Sequence, residues 1–158
     1  MKKLKIYLDT SVISDLYAPD MPEREADTKR LWDDIKAGKY DVVFSDLMLI
    51  EVNKCAEPKR SFIQDCISNV HYEEAFTSAE SRRLSSLYLE RGGLPPKSRD
   101  DALHIAIATV SNCDILLSWN FRHIVNLRAM TAVEAVNIQE CFRTPRILPP
   151  ISLLEKEE

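Results

Sequence analysis

Apolar residues recur along this chain in two alternating patterns. Short, mostly apolar runs bounded by polar residues are typical of buried strands, and they lie at 4–8, 42–44, 115–118 and 146–148. Between these runs the apolar residues recur at helical spacing, over roughly 23–37, 46–53, 62–70, 84–88 and 129–141. Strands that alternate with helices indicate a parallel sheet covered on both faces, so the chain is predicted to be an α/β protein.

The longest apolar run, residues 102–110, follows two adjacent acids, Asp100 and Asp101. Its length and its alanine content predict a helix that is buried on most sides. A short buried strand comes next and ends at residues 118–120. This order places an acidic helix start beside the carboxyl edge of the predicted sheet, where α/β proteins commonly have their sites.

Capping boxes are predicted at two helix starts. Ser98 and Asp101 have the required spacing before the long apolar helix, and Thr77 and Glu80 have it before the preceding helix. Gly92-Gly93 is expected to close that preceding helix.

The length of 158 residues is enough for one domain with a hydrophobic core, and no linker divides the chain. We therefore expect a single domain over residues 1–150 and a charged tail over residues 151–158. No apolar run is long enough to span a membrane, and no signal peptide precedes the first strand. The four cysteines are dispersed, which favours reduced thiols, and together these features predict a cytoplasmic protein that does not contact a membrane.

Charge and glycine content exclude several classes of protein. The net charge of −4 argues against binding nucleic acid through overall charge, although it allows an acidic pocket surrounded by basic residues. The three glycines form no P-loop, no dinucleotide-binding motif and no nucleophile elbow.

Three acids occupy positions where a charge is costly. Asp9 directly follows the first strand, Glu51 interrupts an apolar helix, and Asp101 opens the buried helix. Strand ends and helix starts converge at one edge of a parallel sheet, so the three carboxylates are expected to meet there. Gathered carboxylates repel one another unless a cation binds them, and oxygen ligands favour Mg²⁺ or Mn²⁺. Such a site suits phosphodiester hydrolysis by a metal-activated water.

Each acid also has a purely structural explanation. Asp9 can be a helix-capping acid, and Asp101 can be a first-turn acid that the helix dipole favours. Glu51 can be a solvated residue on a helix face. Asp100 is expected to be a first-turn neighbour of Asp101, and Asp114 to mark the turn before its strand.

Four segments occur in a characteristic order: Leu8-Asp9-Thr10-Ser11-Val12, Ile50-Glu51-Val52, Asp101-Ala102-Leu103-His104-Ile105-Ala106 and Asp114-Ile115-Leu116-Leu117-Ser118-Trp119-Asn120-Phe121. In this order they resemble the successive motifs of PIN domains, whose small single-domain members include the VapC toxins of bacterial toxin–antitoxin pairs. The resemblance extends from about residue 4 to residue 148. It implies a three-layer α/β/α fold with a parallel sheet of about five strands, and a Mg²⁺- or Mn²⁺-dependent endoribonuclease that cleaves single-stranded RNA.

The resemblance also implies roles for individual residues. Three catalytic acids would ligate the metal: Asp9, Glu51 and Asp101. Ser11 and Ser118 match small polar positions that support the metal site. Asn120 stands where many members have a fourth acid, so it would complete the catalytic site with an amide that carries no charge. One metal instead of two, compensation by Asp100 or Asp114, or weakened catalysis are the three consequences to weigh.

Partners and alternatives complete the prediction. The resemblance implies a homodimer and, for a toxin, a small antitoxin protein that blocks it. The basic residues expected to hold RNA are Lys97, Arg99, Arg122 and Arg128, whereas His104 is expected to be a packing residue. One alternative is a PIN-like binding or assembly module without catalysis, which Asn120 and the acidic net charge favour. Another is a phosphotransfer domain with Asp9 as nucleophile, but Ser11 stands where the haloacid-dehalogenase pattern requires a second Asp.

Overall fold

The computed structural model describes residues 2–91 and 94–154, and its centre is one sheet of five parallel strands. The strands are β1 (Lys5–Leu8), β2 (Asp41–Ser45), β3 (Glu73–Ala75), β4 (Ile115–Leu117) and β5 (Arg146–Leu148). Their order in the sheet is β3-β2-β1-β4-β5, and every neighbouring pair is parallel. The predicted parallel α/β architecture is therefore confirmed.

Helices cover both faces of the sheet. They are α1 (Thr10–Ser14), α2 (Pro22–Lys36), α3 (Asp46–Asn53), α4 (Lys59–Ser68), α5 (Ala79–Glu90), α6 (Arg99–Val110) and α7 (Leu127–Gln139). Tyr7, Val43 and Leu116 pack against α5, α6 and α7. Ile6 and Leu8, which alternate with Tyr7 along β1, pack against α1 to α4 on the other face. The predicted three-layer arrangement is therefore present.

The position of each strand in the sheet explains whether its sequence predicts it. β1 lies at the centre of the sheet, and residues 6–8 are completely buried because helices cover both of its faces. β5 is an edge strand, as predicted. β3 was not predicted, because Glu73 and Glu74 are exposed and charged and only Ala75 is buried at this outer edge.

The predicted capping boxes do not form. A 3-10 turn, Pro96–Ser98, precedes α6, and Ser98 Oγ has no hydrogen-bond partner among the described residues. At α5 the box forms one residue later than predicted. There the Ser81 backbone N–H donates to Ser78 Oγ at 3.0 Å, and the Ser78 N–H donates to Ser81 Oγ at 2.8 Å. Thr77 instead donates to Asp46.

A final 3-10 turn, Pro150–Leu153, follows β5, and Leu153 and Leu154 pack against the core on the α2 side. Residues 155–158 of the predicted tail and the predicted helix end at Gly92-Gly93 lie outside the described residues. Across the described chain, no helix has both the length and the apolar character needed to cross a bilayer.

Candidate active site

The carboxyl edge of the sheet positions the first elements of the site. Leu8 of β1 pairs with Leu117 of β4, so Asp9 and Ser118 leave neighbouring strands side by side. The Asp9 backbone N–H continues this pairing by donating to Leu117 O at 3.2 Å. β2 ends at Ser45, which begins α3, and Glu51 lies two turns along that helix.

Asp9 is buried, with an exposed fraction of 3%, and it caps α1. Its Oδ1 accepts hydrogen bonds from the Val12 backbone N–H at 3.1 Å and from Ser11 Oγ at 2.6 Å. Burial raises the pKa of Asp9 above its ordinary value, although His104 and the hydrogen bonds from Ser11 and Ser118 lower it in part. Asp9 therefore caps α1, and its carboxyl group lies in a buried environment that disfavours the charged form.

Ser11 and Ser118 join the ends of the two central strands around Asp9. Ser11 Oγ donates to Asp9, accepts the Trp119 backbone N–H at 2.9 Å, and lies 3.4 Å from Ser118 Oγ. Ser118 is completely buried, and its hydroxyl accepts the Asn120 backbone N–H at 2.9 Å. Both serines therefore lie beside Asp9, and these are the two residues that the sequence predicts to support the site.

Glu51 is half-buried on α3, and its Oε1 lies 2.9 Å from His104 Nε2 on α6. Burial alone raises the pKa of Glu51, but the hydrogen bond and the electrostatic interaction with His104 outweigh it, with a further hydrogen bond from Thr10. The pKa therefore lies below its ordinary value, and Glu51 is ionised at neutral pH.

Asp101 is half-buried in the first turn of α6. Burial raises its pKa, His104 opposes this rise, and the negative charge of Asp9 adds to it. His123 and a hydrogen bond from Asn120 also lower the pKa. His104 links the elements that carry these acids: its Nε2 lies 2.9 Å from Glu51 Oε1 and 3.3 Å from the hydroxyl of Thr10, the residue after Asp9, and Asp101 lies three residues before it on α6.

Asn120 is engaged at both ends of its amide. Oδ1 accepts the His123 backbone N–H at 2.9 Å and closes the turn after β4. The amide N–H₂ is the group that can donate to the Asp101 carboxyl. Asn120 is therefore an uncharged neighbour of Asp101 that lowers the pKa of its carboxyl in part.

Asp100 and Asp114 are not brought to this cluster. Asp114 precedes β4 and lies at the opposite edge of the sheet, where it accepts the Lys5 backbone N–H at 2.8 Å and pairs with Arg143 at 2.9 Å. Asp100 is exposed and lines a cleft between α5 and α6 together with Arg82 and Arg99. Neither carboxylate can compensate at the site, since adjacent helix residues face different directions and strand starts lie at the other edge.

The sequence predicts His104 to be a packing residue, whereas in the structure its ring also makes polar contacts in the candidate site. It is 3% exposed, and its two ring nitrogens contact Tyr7, Thr10 and Glu51. Its spacing of three residues from Asp101 puts both on one helix face, which is the sequence feature that could have indicated a role. The partner Glu51 is 53 residues away, so no local pattern could reveal that contact.

The chemical type of the donors, three carboxylates, suits a hard divalent cation that keeps part of its water shell. Asp9, Glu51 and Asp101 provide carboxylate oxygens, which Mg²⁺ and Mn²⁺ prefer, and a cation would offset the repulsion between Asp9 and Asp101. In residues 2–91 and 94–154, no three His, Cys, Asp or Glu side chains are gathered closely enough to hold a metal ion by themselves. An ion bound here would complete its coordination with water or substrate oxygens.

A basic cleft of about 480 Å³ lies next to the acids, and its lining residues are Leu94, Pro95, Pro96, Arg122, His123, Asn126, Arg128 and Ala129. It shares the turn at 120–123 with the site, because His123 interacts with Asp101 and bonds to Asn120. Arg122 and Arg128 form no ion pair with any residue that the structure describes. Lys97 lies in the adjoining 3-10 turn, whereas Arg99 faces the α5–α6 cleft.

Comparison with known proteins gives a consistent result. The family model of the PIN domain matches residues 6–124. No curated protein sequence matches the chain significantly. VapC20 of Mycobacterium tuberculosis, a toxin that cleaves the sarcin-ricin loop, has a similar structure, with a TM-score of 0.58 and 20% identity over 74% of this chain and 91% of that one. VapBC2 of Rickettsia felis, solved bound to a DNA fragment from its promoter, has a TM-score of 0.53 and 15% identity over 92% of this chain and 98% of that one.

Proposed function

Because this chain belongs to the PIN domain family, we propose that it is a metal-dependent endoribonuclease of the VapC type that cleaves phosphodiester bonds in single-stranded RNA. What supports the proposal is that Asp9 follows β1, Glu51 lies on α3 and Asp101 opens α6, while His104 of α6 contacts Glu51 and Thr10. A similar fold in a toxin that cleaves the sarcin-ricin loop supports RNA as the substrate. The functional unit is a single domain over residues 1–150.

The residues of the candidate site have different roles in the proposed reaction. Asp9, Glu51 and Asp101 would hold Mg²⁺ or Mn²⁺, which would supply a water of lowered pKa and stabilise charge on the phosphate. Ser11 and Ser118 keep Asp9 in place, and burial of Asp9 keeps bulk water from its carboxyl. Asn120 adds no charge beside Asp101, which favours one bound cation rather than two in this proposal.

RNA is proposed to run from the acids into the basic cleft. Arg122 and Arg128 offer positive charge there, and their guanidinium groups can donate to phosphate oxygens. Lys97 adjoins the cleft, while Arg99 would contact only RNA that extends over α6. Binding through phosphate contacts is expected to weaken as salt concentration rises.

Two protein partners are part of the proposal. The similarity to VapBC2 supports a small antitoxin that blocks the site, and the family resemblance supports a homodimer. Exposed apolar side chains that partners could cover include Ile50, Phe62, Leu127 and Ile138. Because its substrate is cellular RNA, the protein is proposed to act in the cytoplasm.

The test is cleavage of single-stranded RNA with Mn²⁺, with and without chelator, by the wild type and by Asp101→Asn. We expect cleavage to require the metal and to fall by about 100-fold or more in Asp101→Asn, since several kcal/mol of charge stabilisation is lost. Asp100→Asn is the matched control, because it removes the neighbouring charge outside the site and should leave the rate unchanged. Equal cleavage by Asp101→Asn and the wild type would refute the proposed mechanism.

A non-catalytic PIN module is the second candidate, and the engagement of Asn120 by His123 and Asp101 favours it. Calorimetric titration with Mn²⁺ separates the two candidates. Absence of binding at millimolar Mn²⁺ would support the module, whereas binding that Asp9→Asn abolishes would support the nuclease.

A further inference from the structure

A chain of buried hydrogen bonds leads away from the active site through His104. His104 Nε2 lies 2.9 Å from Glu51 Oε1 and 3.3 Å from Thr10 Oγ1. On the other side of the ring, Nδ1 lies 2.5 Å from the Tyr7 hydroxyl. That hydroxyl donates to Ser45 Oγ at 2.7 Å. Tyr7 and Ser45 are completely buried, so this chain of groups has fixed partners and no bulk water.

The contacts leave the imidazole one orientation. Tyr7 occupies Nδ1 and packs edge-on against the ring, with centroids 5.7 Å apart and an interplanar angle of 66°. Nε2 is therefore directed at Glu51. The ring orientation is thus set by Tyr7, a strand residue that has no contact with Glu51 itself among the hydrogen bonds of the described residues.

Glu51 depends on such a contact more than the other acids do. Asp9 accepts the Val12 backbone N–H of its own helix, and Asp101 has Asn120, in the turn after β4, as a neighbour. Glu51 has a longer side chain with more rotatable bonds, it is half-buried, and its hydrogen bonds come from His104 and Thr10. Without these partners its carboxylate would sample several rotamers.

The network also ties the helix that carries Glu51 to the helix that carries Asp101. Ser45 caps α3 by accepting the Met48 backbone N–H at 3.1 Å, and it receives the Tyr7 hydroxyl at the same time. His104 belongs to α6, three residues after Asp101. The same hydrogen-bonded chain therefore fixes the start of α3 and the acid in its second turn relative to α6.

We propose that His104 is a positioning residue that holds the Glu51 carboxylate in its metal-ligating orientation, with Tyr7 and Ser45 holding His104 in turn. The proposal rests on the proposed metal-dependent function of the same site. A ligating carboxylate can accept a hydrogen bond on one oxygen while the other faces the cation, and such outer partners tune metal affinity. His104 itself donates no electron pair to the metal, because both ring nitrogens are engaged by protein groups.

The test measures Mn²⁺ affinity by calorimetry or by electron paramagnetic resonance of free Mn²⁺, without RNA. We expect His104→Ala to bind Mn²⁺ about 10- to 100-fold more weakly than the wild type. His71→Ala, which removes an exposed histidine at the opposite edge of the sheet, is the matched control and should bind normally. In a Glu51→Gln background, His104→Ala should cause no further loss, because its effect is transmitted through Glu51.

Two conservative variants keep the test valid where His104→Ala does not fold. His104→Gln carries an amide N–H₂ near the position of Nε2 and should retain most Mn²⁺ affinity, whereas His104→Asn reaches only toward Tyr7 and should not. Excess Mn²⁺ should restore the cleavage rate of His104→Asn with its KM for RNA unchanged. Equal Mn²⁺ affinity of the Gln and Asn variants and the wild type overturns the inference, while absence of Mn²⁺ binding by the wild type overturns the proposed function instead.

Discussion

At the level of single residues, this fold keeps carboxyl groups where burial opposes their charge. Burial raises the pKa of Asp9 and of Asp101, and the proximity of Asp9 adds to the rise at Asp101. Protein stability alone does not favour this arrangement, since a charge with a raised folded-state pKa weakens the native state at neutral pH. Groups perturbed in this way, in a cluster at a sheet edge, are typical of functional sites.

Asp101→Asn is expected to raise the melting temperature of the metal-free protein at neutral pH. The folded-state pKa lies above the unfolded value of 3.8, so the wild type loses stability as pH rises through that window. The amide removes this penalty above the window and should make no difference well below pH 3.8. Thermal denaturation as a function of pH checks this, with Asp100→Asn as the control; a lower melting temperature for Asp101→Asn at pH 7 would contradict it.

Replacement of Asp114 by Asn is expected to change the stability at neutral pH in the opposite direction from Asp101→Asn. The Lys5 backbone N–H and Arg143 lower its pKa below 3.8, so its contribution is present above that pH and is lost as pH falls through the lower folded-state value. Asp114→Asn should therefore destabilise the protein at pH 7, by about 0.2–1 kcal/mol for a partly exposed ion pair. Urea denaturation at several pH values measures this difference, which should shrink below pH 3.8. If the free energies of unfolding of the wild type and Asp114→Asn differed by the same amount at every pH, the lowered pKa of Asp114 would not be the cause of the difference.

At the level of elements, the site depends on where helices begin. Asp9 caps α1, Ser45 caps α3, and α6 begins after a 3-10 turn at Pro96–Ser98. Each of these starts follows a strand or loop that ends at the carboxyl edge, and each helix carries one of the acids or begins beside it. The N-terminal dipole of α6 also favours a negative charge at Asp101, which offsets part of its burial.

Ser78→Ala is expected to destabilise the protein by about 1 kcal/mol, because it removes the cap of α5 and leaves the Ser81 backbone N–H without its partner. Chemical denaturation with an unchanged m-value would measure this loss. Glu80→Gln in the same first turn is the control, since the structure gives Glu80 no part in the cap, and it should stay close to the wild type. A loss on Glu80→Gln as large as that on Ser78→Ala would show that the cap lies elsewhere.

At the level of the whole molecule, the candidate site joins three separate parts of the chain. Asp9 follows β1, Glu51 lies on α3, and Asp101 lies on α6, with helices from both faces of the sheet involved. A cation bound by all three would therefore stabilise the folded state as a unit, because the unfolded chain has no such site.

Addition of Mg²⁺ or Mn²⁺ should raise the melting temperature of the wild type. Saturation at about 100 times the dissociation constant adds roughly 2.7 kcal/mol, and each 1 kcal/mol corresponds to about 2–4 °C in a protein of this size. Differential scanning fluorimetry measures the shift, which Asp9→Asn should abolish and Asp114→Asn should retain. An equal shift in Asp9→Asn would place the cation elsewhere.

Much of the fold and the positions of the acids follow from local sequence. Residues 6–8 and 115–117 are apolar without interruption, as central parallel strands must be, and Ser45 caps the helix predicted after it. The sequence indicates Asp9 and Asp101 as candidate site residues because an acid at a buried strand end or helix start is unfavourable unless it is paired, caps a helix or binds a cation. Hydrophobic periodicity depends on neighbours a few residues apart, which is why the sequence alone determined these elements, whereas the two predicted capping boxes do not form.

Only the tertiary structure decided the partners of these residues. The contact of His104 with Glu51, the engagement of Asn120 by Asp101 and His123, and the exclusion of Asp114 from the site depend on how distant segments pack. β3 likewise pairs through its backbone beside β2, and its exposed glutamates give no hydrophobic pattern. Hydrogen bonds between side chains far apart in sequence form only after the helices dock on the sheet, so their geometry is a property of the packed molecule.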